Sequence, residues 1–190
     1  MRGSDIKRGW IFALVLATGC YTHTGTERVI DLKRGTATLT LTDLRTDEAD
    51  PSNELGTAAN SLLAGSALEE RYPAAHLSQK DFQVRGEALD FTATFTFDDP
   101  SQVGVQAWDR GGYRLCPSEP DMVISASNAS YRDDAGCVIW KKRATVLRIT
   151  ETRVGVSPKT SLLGAFQAWD AAGRPKPEEE AAAPASPPSP

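Results

Sequence analysis

The chain has 190 residues, 40% of them hydrophobic and 24% charged, which suits one globular domain with its own core. Twenty-one Lys and Arg against 25 Asp and Glu give a net charge of -4, so the sequence lacks the positive excess by which duplex-binding proteins neutralise phosphates, and no nucleic-acid partner is expected. Two His and three Cys leave little for metal centres, and no GxSxG, HExxH, Walker loop or Gly-rich dinucleotide fingerprint is present, so no cofactor and no metal ligand set is expected.

In chain order, the first feature is an address. Arg2, Lys7 and Arg8 form a positive start, and Trp10 to Ala17 is an apolar run of export-signal length. It is about half of the roughly 20 apolar residues that a membrane-crossing helix needs. The run closes on Leu16-Ala17-Thr18-Gly19-Cys20. That ending resembles the lipobox of bacterial lipoproteins, with Ala17 where the family most often has Leu. The resemblance implies a signal peptide over 1–19 and a Cys20 that is lipidated and becomes the mature N-terminus, with the membrane as partner through its acyl chains. It also implies an extracytoplasmic, lipid-anchored location. The absence of Asp after the Cys, where Tyr21 stands, favours the outer over the inner membrane. A plain secretory signal with an incidental Cys is the alternative.

Loss of residues 1–19 leaves 18 basic against 24 acidic residues, which makes the tether, not a basic patch, the expected membrane contact. Export also places Cys116 and Cys137 in an oxidising compartment as an even pair, and one disulfide is the economical reading. A nucleophilic Cys would want His23 or His76 beside it, and neither is near in sequence.

Residues 20–28 read as a short polar stalk, and 29–172 as a single domain. Ala37, Leu39 and Leu41 alternate with threonines, the pattern of a strand with one solvated face. Asp47 to Asn53 reads as a loop in which Ser52 or Asn53 can cap a helix. From Glu54 to Tyr72 apolar residues recur at three–four spacing, so one amphipathic helix is predicted, ended by Pro73 and weakened by Gly56 and Gly65. After a connection from His76 to Gln83, Leu89, Phe91, Ala93, Phe95 and Phe97 form the strongest strand signal, and three aromatics on one face call for the helix as a cover. Further strands are read at Val103–Trp108, Tyr113–Leu115, Met122–Ser127, Val138–Lys142 and Ala144–Thr150. Gln106-Ala107-Trp108-Asp109 recurs as Gln167-Ala168-Trp169-Asp170, which favours a strand over a helix for Leu162–Trp169. Residues 173–190, rich in Pro, Ala and Glu, read as a disordered tail. The fold class expected is α+β, a mainly antiparallel sheet of about six to eight strands packed on one amphipathic helix.

Several groups invite a chemical reading. Asp43, Asp47, Glu48 and Asp50 could gather calcium, but the spacing is not that of an EF-hand, and a solvated loop is the stronger reading. Asp98-Asp99 and Asp133-Asp134 are paired carboxylates at turns, where Asp serves local hydrogen bonding. Asn128-Ala129-Ser130 matches a glycosylation acceptor, and Lys141-Lys142-Arg143 beside Trp140 is a small basic group suited to an acidic lipid or glycan, or to the polar edge of a strand. No catalytic residue emerges.

A strand, a helix and a strong alternating strand ending in Phe95-Thr96-Phe97-Asp98-Asp99, behind a lipobox, resemble the LppM-type domain of bacterial lipoproteins over Val29 to Thr152. The resemblance implies a lipid-anchored α+β domain at the cell envelope. Two functions follow as expectations: a non-enzymatic module binding an envelope lipid, glycan or protein, or a lipid-anchored hydrolase with an acidic site built from Asp, Glu, Ser or His76.

Overall fold

The computed structural model describes residues 21–109, 111–155 and 160–175. The signal segment, Cys20, Arg110 and residues 176–190 lie outside the described residues. The architecture is α+β and mainly antiparallel, as the alternating patterns predict. Strands β1 (Tyr21–Asp31) and β2 (Thr36–Thr46) form a long hairpin. After the helices come β3 (His76–Arg85) and β4 (Ala88–Thr96). Four short strands follow: β5 (Gln106–Ala107), β6 (Gly112–Leu115), β8 (Tyr131–Arg132) and β9 (Val138–Lys141), with β7 (Met122–Ser127) between β6 and β8. Last come β10 (Val146–Arg153) and β11 (Thr160–Ser161). The large sheet runs β3-β4-β2-β1-β10-β7, with β11 added at the end of β2. A second, separate sheet runs β5-β6-β9-β8, where one sheet is expected from the sequence.

The expected stalk is the first correction. Tyr21 to Arg28 belong to β1, which sits in the middle of the large sheet, paired with β2 on one side and β10 on the other. The segment reads as polar because its inward residues are His23, Thr26 and Arg28, all buried. At the hairpin turn the Asp31 carboxylate accepts the Lys33 and Arg34 backbone N–H groups at 3.0 and 3.1 Å. Gly35 has φ +62, and a Cβ there would lie 2.5 Å from the Phe97 carbonyl oxygen. Only glycine meets both demands.

The alternations predicted for β2 and β4 hold. Ala37, Leu39 and Leu41 face inward with Leu89, Phe91, Ala93 and Phe95, while Thr40 and Thr92 meet on the outer face with their hydroxyls 3.3 Å apart. At Asp43 the backbone turns to φ +53 and the inward parity shifts, so that Leu44 and Thr46 are buried next. The Asp43 N–H donates to the Asp90 carboxylate at 2.8 Å.

The single predicted helix is broken. It comprises α1 (Pro51–Ala59), a π-helical turn over Asn60–Ala64, and α2 (Ala67–Arg71). The break falls at Gly65, which is extended and so close to the preceding turn that a Cβ would stand 2.6 Å from the Ser61 carbonyl oxygen. The cap is Asp50, whose carboxylate accepts from the Ser52 and Asn53 N–H groups; Ser52 and Asn53 are inside the helix. Asp50→Ala should cost about 1 kcal/mol, the usual value of an N-cap, read as a shift in urea midpoint without a change in slope.

Two further corrections concern edges and ends. His76–Arg85, read largely as a connection, is the edge strand β3, placed there by Phe82 packing edge-on to Phe91 at 5.7 Å. Leu163–Ala171 is a helix, α3, so the second Gln-Ala-Trp-Asp copy is helical while in the first copy Gln106 and Ala107 are extended. Tertiary packing decides: Phe166 and Trp169, three apart, share a helix face turned to Phe82. Val103 ends a 3₁₀ turn, Pro100–Val103, capped by Asp99, so the expected strand there shrinks to β5. The start of the expected tail is packed: Trp169 Nε1 donates to the Pro175 carbonyl at 2.8 Å and Arg174 pairs with Asp170 and Asp81 at 2.6 and 2.9 Å.

The core therefore lies on one face of the large sheet. Leu55, Ala58, Leu62 and Leu68 from the helices, Phe166 from α3, and Leu115, Val138 and Trp140 from the small sheet join the inward strand residues in one cluster.

Candidate functional site

Cys116, just past β6, and Cys137, just before β9, are joined by a disulfide, as the cysteine count suggests. From this link the segment Cys116-Pro117-Ser118-Glu119-Pro120-Asp121 crosses from the small sheet to β7 of the large one. Two prolines keep it from adopting regular structure. It is held instead by charges from the core face. Arg28 of β1 donates to the Cys116 carbonyl at 2.7 Å and pairs with Glu151 of β10 at 3.2 Å. Glu151 accepts the Ser118 N–H at 2.6 Å, and Arg71 of α2 donates to the Ser118 carbonyl at 3.2 Å. Arg153 pairs with Glu119 at 2.6 Å and with Asp121, and donates to the His23 carbonyl at 3.0 Å.

His23 completes this network. Its Nε2 lies 3.4 Å from Arg153 Nη2 and 4.0 Å from Glu119 Oε1. Burial takes its pKa down to about 4, against the pull of Glu119 and with the help of Arg153 and Arg71. It is therefore neutral at pH 7 and suited to accept a hydrogen bond from Arg153. Ser118, whose hydroxyl is buried, has no hydrogen-bond partner for that hydroxyl among the described residues, so no base is positioned to activate it. Glu119 and Asp121 converge on one guanidinium, an arrangement that fixes a strap and leaves neither carboxylate unengaged.

Beside the strap is a cleft of about 460 Å³, lined by Pro117, Ser118, Glu119, Pro120, Met122, Val123, Ile124, Arg132, Ala135 and Gly136. Three consecutive residues of β7 line it. Successive side chains of a strand point to opposite faces, so a cleft touching all three runs along the strand's free edge. The other wall is β8 and the turn after it, and β8 is the edge of the small sheet. The cleft thus separates two sheet edges. Arg132 crosses it and donates to the Ile124 carbonyl.

The residues singled out in the sequence fall elsewhere. Asp43 pairs with Arg45 at 2.8 Å, Asp50 caps α1, and among the described residues no group of His, Cys, Asp and Glu is disposed to hold a metal ion. Asp99 caps the 3₁₀ turn, and hydrogen bonds from Ser101, side chain first and backbone second, lower its pKa. Asp133 accepts the Ala135 and Cys137 N–H groups at 3.0 Å and pairs with Arg114 at 2.8 Å. Asn128 is structural: its carbonyl accepts from Trp140 Nε1 and the Arg148 N–H, both at 2.8 Å. His76 is exposed at the start of β3, remote in the sheet from the strap. Lys141, Lys142 and Arg143 are exposed beside the β1–β2 turn, where Leu32 N–H donates to the Thr145 carbonyl. Arg28, Glu151 and Arg153, which hold the strap, carry no sequence signal beyond the parity of Thr26 and Arg28 with Ile30, and His23 holds the strap instead of partnering a cysteine. No protein-family model, curated protein or solved structure matches this chain.

Proposed function

We propose that this chain is a cell-envelope lipoprotein, anchored through acyl chains on Cys20, whose domain is a binding module that acts through the cleft beside the disulfide strap. The observation that carries the binding reading is the cleft itself: a volume within the range of ligand sites, largely apolar walls, and carboxylates at its margin already paired with arginines. The anchor rests on Leu16-Ala17-Thr18-Gly19-Cys20. Cys20 is bonded directly to Tyr21, the first residue of β1. An acylated Cys20 would therefore hold one end of the large sheet at the bilayer without a stalk. Lys33, Arg34, Lys142 and Arg143 sit at the other end of β1, which at about 3.3 Å per residue is roughly 35 Å away. In that orientation they point away from the anchoring membrane.

Intact mass of the protein purified from membranes of its native type of host, with and without reduction, tests the anchor. Acyl mass on Cys20 that a Cys20→Ala variant loses, together with a two-hydrogen gain on reduction, is expected. An unacylated, soluble product would overturn the anchor.

A further inference from the structure

We propose that the cleft accepts an extended peptide of a partner protein as an added strand on β7, with a preference for a segment carrying an Asp or Glu. This rests on the binding reading above and names the class of partner for the same cleft.

Among the described residues β7 has β10 as its one neighbour in the large sheet, so every second backbone N–H and carbonyl of β7 faces away from the ladder. The Ile124 carbonyl is one of these, because it receives a side chain from across the cleft. The donor is Arg132, whose guanidinium stands where the N–H of a neighbouring strand would stand. A free strand edge offers a peptide the same hydrogen bonds, and pockets beside it read alternate side chains. Met122, Pro117 and Pro120 supply apolar contact on one side, and Ala135 and Gly136 leave room on the other.

Charge selects the peptide. Glu119, at one end of the cleft, is neutralised by Arg153. Arg132 is exposed and has no carboxylate partner among the described residues. A peptide carboxylate reaching Arg132 would make a charge-assisted pair and draw the guanidinium off Ile124, freeing that carbonyl for the peptide backbone. Opening the edge and recognising the acid are then one movement.

The test uses the mature chain with Cys20→Ala and an array of capped random hexapeptides. Enrichment of β-branched residues at alternate positions together with one Asp or Glu is expected, with slowed amide exchange at Ile124 when a selected peptide binds. Arg132→Ala should abolish the acidic preference and keep the β-branched one. Ala135→Trp, at an exposed turn position, fills the cleft and should weaken the selected peptides by about tenfold or more. Absence of enrichment, equal binding to Ala135→Trp, or an acidic preference that survives Arg132→Ala would overturn the proposal. So would binding to dioleoylphosphatidylglycerol vesicles that Ala135→Trp removes, in place of peptide selection, since it would assign the cleft to lipid. None of these results bears on the mass of acylated Cys20, so failure here is separable from failure of the anchor.

Discussion

Arg28→Met should destabilise the domain by about 3–5 kcal/mol, the cost of leaving one member of a buried ion pair uncompensated. Glu151 is fully buried, and its Oε1 takes both Arg28 and the Ser118 N–H. Without the guanidinium an unpaired carboxylate is left in a low-dielectric interior, which is costly. The loss should propagate to the strap, because Arg28 also holds the Cys116 carbonyl. The companion Arg28→Met/Glu151→Leu removes both charges and should recover a large part of the loss, since apolar replacements of a buried pair are often neutral or better. Urea unfolding of the two variants at pH 7 measures this. A single variant within 1 kcal/mol of the parent would show that the pair is solvated in solution and refute the buried-network account.

The same residues explain what the sequence does and does not reveal. The inner faces of β2 and β4 are apolar and their outer faces are largely threonine, so a period of two stands out and the core face can be read directly. β1 is just as central, yet its inward positions include His23, Thr26 and Arg28, and hydrophobic periodicity is blind to polar residues such as His23 and Arg28, whose partners stand more than eighty positions away. A stalk is the natural misreading. The helix was legible as an apolar stripe, but its break was not, because whether a glycine interrupts a helix depends on what packs against it. Gln-Ala-Trp-Asp makes the same point from the other side: four identical residues begin as a strand beside β6 and lie within a helix against Phe82. The disulfide was legible from count and compartment, whereas the cleft beside it depends on two sheet edges whose approach no local pattern encodes.

Acid should destabilise the domain through His23 in a window that its environment defines. In the unfolded chain the imidazole titrates near 6.5; in the fold, burial and the neighbouring Arg153 and Arg71 outweigh Glu119 and Asp121 and bring it to about 4. Above pH 6.5 both states are neutral there and the residue adds no pH dependence. Between 6.5 and about 4 the unfolded state binds the proton and the folded state does not, so stability falls as pH falls, by about 1.4 kcal/mol per unit at most. The loss levels off below the folded pKa at a total of about 3 kcal/mol. His23→Gln keeps an acceptor for Arg153 but cannot take up the proton, so its stability difference between pH 7 and pH 4 should be smaller than the parent's by that amount. The carboxylates away from His23 are common to both proteins and cancel in the comparison. Equal pH dependence in parent and variant would mean that His23 titrates alike folded and unfolded, and that the space between β1, α2 and the strap admits water. A reduced slope would place the neutral imidazole inside the network that holds the strap in position beside β7.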